Sequence, residues 1–284
     1  SDSYFERANL VNGNMSVKQS TTEFESYNVT SKQYDKARQP CGYTQILGAM
    51  ANNPALPLSE QKIVEFGCGT GNYIEVLHGK FASVTGLEYS DGMLEQSKAK
   101  FDGNPKVTLQ QGNALDLPWK EPTFDGAYCC QVTHHLVDNE DYQPIKDMCK
   151  QIFAALKPGG SMVFNFPTKE TVDHGMWWAP YIPIACAKLH KRMPDTPYFE
   201  NALREAGFTN VGHSVVLSDT LSEPSVYLQK DGPMHKWWRD SDSTWSLAPP
   251  EELEAAMERC KKQNEDGSIE HFIKEREALR LKYG

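Results

Sequence analysis

The stretch Val64-Glu65-Phe66-Gly67-Cys68-Gly69-Thr70-Gly71-Asn72-Tyr73 constrains the fold of this chain more than any other. The short apolar run Ile63 to Phe66 reads as a buried strand, and Tyr73, Ile74 and Leu77 fall at helical spacing. A strand therefore feeds a tight glycine turn, and the turn feeds a helix. Gly67 and Gly69 let the backbone bend and approach a ligand where a Cβ would collide. Gly71 opens the helix, whose free N–H groups point back at whatever occupies the turn. Roughly twenty residues on, at the end of a second apolar strand, stands Glu88, a carboxylate able to accept hydrogen bonds from both hydroxyls of an adenosine ribose.

Glycine spacing separates the adenosine ligands. A dinucleotide turn reads Gly-x-Gly-x-x-Gly and cradles a pyrophosphate. Here the glycines fall at 67, 69 and 71, and Glu65 would repel a phosphate but suit a cationic amine. Both departures favour a ligand with adenosine at one end and a positive amino-acid group at the other, a description S-adenosylmethionine meets. The bland alternative is a turn that only joins strand to helix; the independent spacing of Glu88 opposes it.

The rest of the chain alternates strand and helix. Strands are expected at 83–88, 106–110, 124–131, 161–166 and 211–217. Helices are expected at 42–51, 91–101, over the stripe Ile145, Met148, Cys149, Ile152, Phe153, Leu156, at 197–206, and twice near the end. This order predicts an α/β fold: a doubly wound, mainly parallel Rossmann-like sheet. The expected division is an N-terminal arm and lid (1–40), a ligand-binding domain (41–218) and C-terminal loop and helices (219–284). Residues 168–195, with their tryptophans and prolines, break the rhythm as a capping insertion after the fifth strand.

A net charge of −9 argues against nucleic acid as the main partner, since phosphate binding needs a basic face. No apolar run reaches the roughly 20 residues that span a bilayer. The seven cysteines form no Cys-x-x-Cys pair and suggest neither a disulfide framework nor a metal site; they read as buried thiols of a cytoplasmic protein. Oligomeric state is not encoded in any pattern seen here.

The motifs, taken in order, resemble the class I S-adenosylmethionine-dependent methyltransferases, particularly the branch with ubiquinone-biosynthesis and small-molecule enzymes. The residues that carry the resemblance are Val64 to Gly71, Gly86-Leu87-Glu88-Tyr89-Ser90, Gly112-Asn113-Ala114-Leu115-Asp116-Leu117-Pro118, Phe124 to Tyr128, Gln131 to Leu136, and Leu156-Lys157-Pro158-Gly159-Gly160. By that resemblance S-adenosylmethionine is the cofactor and S-adenosylhomocysteine the product. Gly67, Cys68 and Gly69 would pass the methionine portion, and Glu65 would order the turn or reach the ammonium through water. Glu88 would hold the ribose, Tyr89 and Met93 would flank adenine, and Asn113 and Ala114 would meet its amino edge. Gln131 and Val132 would line the sulfonium end. Tyr27, Tyr34 and Arg38 resemble the segment that closes over the cofactor in this branch. The family sheet ordinarily carries a seventh, antiparallel strand beside the sixth. Here Ser225 to Gln229 is the nearest candidate, the alternative being that the native protein continues beyond Gly284.

Methyl transfer from a sulfonium is an in-line displacement, so the protein mainly positions the acceptor. His134 and His135, just past the fourth strand, are the candidates for a general base if the acceptor loses a proton. Trp177, Trp178 and Tyr181 are the candidate acceptor-pocket walls. The expected activity is methyl transfer to a small molecule. Competing readings are a methyltransferase for protein or RNA, opposed by the acidic charge, and a noncatalytic cofactor-binding module.

Overall fold

The computed structural model describes residues 38–137, 140–217 and 219–283. Helix α1 (Tyr43–Ala51) precedes β1 (Lys62–Phe66), and the glycine turn leads into α2 (Asn72–Leu77). Then follow β2 (Ser83–Glu88), α3 (Asp91–Lys100), β3 (Val107–Gln111), β4 (Phe124–Cys130), α4 (Gln143–Ala155) and β5 (Leu156–Asn165). The strands lie in the order β3-β2-β1-β4-β5, and every pairing is parallel. Strand order reverses between β1 and β4, and in such sheets ligands sit beyond the carboxyl ends at that point.

The nearly continuous apolar run of β1, buried on both faces, explains its place at the centre. Val64 and Phe66 join one layer, with Leu87, Cys129, Ile145, Met148 and Ile152; Ile63 joins the other, with Ile46, Met50, Ile74 and Leu77. The period of two in a strand sends neighbours to opposite faces. Helix α3 starts where Ser90 Oγ accepts the Met93 N–H. Helix α4 buries four of the six stripe residues; Phe153 instead stays 43% exposed, its ring edge-on to Phe208. Leu156 does not close that helix. It opens β5 by pairing with Phe124, and Lys157 Nζ meets Asp125 Oδ1 at 3.0 Å; the Lys157-Pro158-Gly159-Gly160 segment is taken into the ladder at a register shift.

The C-terminal half regroups the expected segments. Helices α5 (Pro183–His190) and α6 (Thr196–Ala206) follow β5; then come the short α7 (Pro224–Tyr227) and α8 (Lys236–Arg239), and last α9 (Pro250–Glu265) and α10 (Ser268–Tyr283). Val172, Trp177, Ile182 and Leu189 share one core with Tyr227, Trp238, Trp245, Ala256 and Ile269. Residues 172–193 and 227–273 thus form a single helical unit, while α6 packs on the sheet through Phe199 and Ala202.

Two expected strands are absent among the described residues. Residues 211–217 run without sheet pairing, with Val215 55% and Leu217 41% exposed. The candidate seventh strand, Ser225 to Gln229, folds instead around α7. Pro224 at its first position suits a helical turn, and the Val226 and Tyr227 N–H groups bond back to Glu223. β-Branched residues fit a pleated surface but need a partner ladder to become a strand; residues 211–217 have none.

Candidate active site at the strand tips

Strands β1, β2 and β4 end side by side. Past β1 the chain turns through Gly67 (φ +70°) and Gly69 (φ +55°), a region that costs other residues energy. The Gly67 and Cys68 N–H groups both donate to Leu87 O, at 2.7 and 3.1 Å, which pins the turn to β2. A Cβ on Gly67 would lie 2.4 Å from Val132 Cγ2, so this glycine is required by protein packing. A Cβ on Gly69 would meet nothing within 4 Å: this glycine borders open space.

Glu88 lies at the tip of β2, 9% exposed. Its Oε2 accepts the Gly69 N–H at 2.7 Å and its Oε1 accepts the Ser90 N–H at 2.7 Å. Burial lifts its carboxyl above the usual range, and the Ser90 and Gly69 N–H groups pull it back. Each oxygen keeps a further lone pair, the capacity two ribose hydroxyls need. Beside it, Met93 is buried and Tyr89 is 42% exposed. Across β3, the Gly112 N–H bonds to Glu88 O, which brings Asn113 and Ala114 to the same rim. Asn113 Oδ1 accepts the Leu115 N–H at 2.9 Å and so is engaged in its own turn.

Glu65 and Cys68 differ from the rest. Glu65 is 1% exposed beside Tyr128, and burial pushes its carboxyl well above the usual range, with the Tyr128 hydroxyl opposing. The Cys68 thiol turns into the layer under the sheet, where Gly86 leaves it room, so only its backbone belongs to the turn.

The tip of β4 carries Gln131, in a left-handed conformation (φ 59°), and Val132. His134 and His135 follow in a helical turn, each 8% exposed, with ring centroids 4.1 Å apart. Burial lowers His134 to about 4 and holds His135 well below the usual imidazole range. Both are neutral at neutral pH. Arg38 is tied to the helical unit: its Nη2 lies 3.7 Å from Asp242 Oδ2, and its backbone pairs with Ser222. Tyr27 and Tyr34 lie outside the described residues.

A cavity of about 1600 Å³ runs along the outer edge of β5 and reaches the strand tips at Gln131 and Asn165, with Asp242 of the helical unit beside them. It includes Trp178 but neither Trp177 nor Tyr181, nor the glycine turn. Trp177 is fully buried and donates Nε1–H to Tyr227 O at 2.5 Å; Tyr181 donates its hydroxyl to Gln263 Oε1 at 2.5 Å. These two expected pocket walls are therefore core residues of the helical unit. Sequence reasoning did not single out Asn165, Asp242 or Tyr227. For Asn165 the signal was there: a lone amide at the end of the apolar run Met162-Val163-Phe164.

A family model described as a methyltransferase domain matches residues 63–160. The demethylmenaquinone methyltransferase of Lactococcus lactis subsp. lactis is 32% identical over 212 residues, 66% of this chain and 82% of that protein. The chain belongs to the class I S-adenosylmethionine-dependent methyltransferases. An uncharacterized methyltransferase of Oceanobacillus iheyensis is 35% identical over 147 residues, half of this chain and 62% of that relative. Among solved structures, one described as a methyltransferase from an antibiotic biosynthesis pathway of Anabaena variabilis superposes with a TM-score of 0.63 at 19% identity, covering 86% of this chain and 94% of that one. That likeness establishes the shared fold. For a methyltransferase of this class, the open space before Gly69 and the spare lone pairs of Glu88 fit the cofactor. No helix among the described residues is long and apolar enough to cross a membrane.

Proposed function

We propose that this methyltransferase acts on a small molecule, which reaches the strand tips through the cavity beside β5. The observation that carries the reading is Glu88, whose carboxylate closes on the Gly69 N–H across a turn whose middle glycine borders open space. Bound there, S-adenosylmethionine supplies a methyl group activated by a positively charged sulfur. Glu88 grips the ribose, Met93 and Tyr89 hold the adenine ring, and Asn113 and Ala114 meet its edge. Gln131 and Val132 border the sulfur end. Acidic charge and the name of the Lactococcus relative, whose acceptor is a small molecule, support the substrate class.

The chain's own work is to orient and exclude water. Holding an acceptor in line with the methyl carbon can contribute about 7–11 kcal/mol. Burial argues against the general-base role expected of His134 and His135, because an imidazolium there would be desolvated. The acceptor then binds in a form whose attacking atom already carries a free lone pair. The helical unit covers the chamber with Trp178, Met176 and Tyr227. Calorimetric titration with S-adenosylmethionine, S-adenosylhomocysteine and NAD tests the cofactor reading. Micromolar-range binding of the first two and none of the third is expected, with Glu88→Ala weakening both by at least about tenfold, the loss of two hydrogen bonds to a charged group. Equal binding of NAD would refute it. A metabolite panel assayed for methyl release then identifies the acceptor.

A further inference from the structure

Gln131 is one of two non-glycine residues with positive φ among the described residues, and it stands at the tip of β4. Such a conformation persists where surrounding bonds impose it. Those bonds come from one residue. The Gln131 N–H donates to Asn165 O at 2.8 Å, and Gln131 Nε2–H donates to Asn165 Oδ1 at 3.2 Å. Asn165 has no freedom to flip its amide: its Nδ2 donates to Cys41 O at 2.7 Å and reaches Tyr73 Oη at 3.4 Å, and Tyr73 itself donates to Cys41 O at 2.9 Å. Asn165 Oδ1 must therefore face Gln131, Gln131 must present Nε2 to it, and the Gln131 carbonyl oxygen is left pointing away. No described group donates to that oxygen, and Gln131 borders the cavity.

We propose that Asn165 is a positioning residue that sets the Gln131 amide so that its carbonyl oxygen, and not its NH₂, faces the sulfur end of the cofactor. This rests on the placement of the sulfur end in the preceding section. The consequence is electrostatic. A carbonyl dipole aimed at that place favours a positively charged sulfonium and gains nothing from a neutral thioether. The pair therefore discriminates between donor and product, holding S-adenosylmethionine and releasing S-adenosylhomocysteine. A reversed amide would do the opposite.

The test is the ratio of dissociation constants for S-adenosylmethionine and S-adenosylhomocysteine, measured by calorimetry on the full chain. Asn165→Leu is expected to weaken S-adenosylmethionine by about tenfold, the scale of one hydrogen bond to a charged group, and S-adenosylhomocysteine by less than about twofold. Gln131→Met, which keeps the length and removes the amide, is expected to shift the ratio equally. Combining the two changes should add nothing further, because Asn165 acts only through Gln131. Equal weakening of both ligands, or additive effects, overturns the proposal. If Asn165→Leu fails to fold, Gln131→Met alone decides: an unchanged ratio refutes the role. Absence of binding by the unaltered protein would instead refute the cofactor reading itself, a distinguishable outcome.

Discussion

Gly67 and Gly69 share a left-handed backbone and face opposite surroundings, so the same substitution separates packing from binding. An alanine at 67 adds a steric collision with Val132 to the cost of the conformation, together about 2–4 kcal/mol. An alanine at 69 bears only the conformational cost, about 1–2 kcal/mol, and places its methyl in the open space that the cofactor would fill. Urea unfolding should show the larger loss for Gly67→Ala, partly restored by adding Val132→Ala. Calorimetry should show Gly69→Ala losing cofactor affinity with the fold retained. Both glycines were legible in the sequence as a turn. Which one packs on protein and which borders the ligand space was not, because Val132 lies far along the chain and meets Gly67 only once β4 is beside β1.

At the scale of elements, the strands with a buried partner on each side follow their sequence patterns closely. β1, β2 and β4 appear within a residue or so of their apolar runs because both faces and both edges are satisfied. The segment 211–217 has the composition of a strand and lacks a ladder, so composition overstated it. The aromatic residues after β5 show the reverse error. Read as a pocket wall, Trp177 and Tyr181 form the heart of a second core, where Trp177 packs against Trp238 with ring centroids 6.0 Å apart and edge-on to Tyr181 at 5.9 Å. Trp177→Ala should cost about 3–5 kcal/mol, the range for emptying a buried aromatic site. Trp177→Phe, which fills much of the volume but abandons the bond to Tyr227 O, should cost less. Denaturant midpoints of the two variants check this. If both leave stability unchanged, the helical unit is not organised around this ring.

For the whole molecule, the two cores meet through polar contacts. Arg38 pairs with Asp242, the Gly42 N–H donates to Asp219 Oδ2 at 3.2 Å, and Arg192 Nη1 donates to Val137 O at 3.2 Å. His134 lies buried near that junction, where Asp242 raises its proton affinity and Arg38 and Arg192 lower it, burial being the larger influence. Its folded value of about 4 stands below the ordinary 6.5. Between these limits the unfolded chain takes up a proton that the folded chain refuses, so stability is full above pH 6.5 and falls as pH drops toward 4. The loss from this one group is about 3 kcal/mol. Glu65, raised by burial, acts in the opposite sense and loses its contribution as pH rises. Comparing the unaltered protein with His134→Gln isolates the histidine. The stability difference between them should move by about 3 kcal/mol against the unaltered protein from pH 7 to pH 4. A constant difference would mean that His134 stays solvated.

Local pattern alone determined the glycine turn, the strand-helix alternation and the carboxylate at the tip of β2, because each depends on residues close in sequence and on periodicities fixed by backbone geometry. Tertiary structure decided the rest. Whether Trp177 lines a cavity or fills a core, whether 211–217 finds a partner, and which way the Gln131 amide points all depend on contacts between distant segments. Burial and hydrogen-bond partners arise only when those segments meet, and no short stretch of chain carries them.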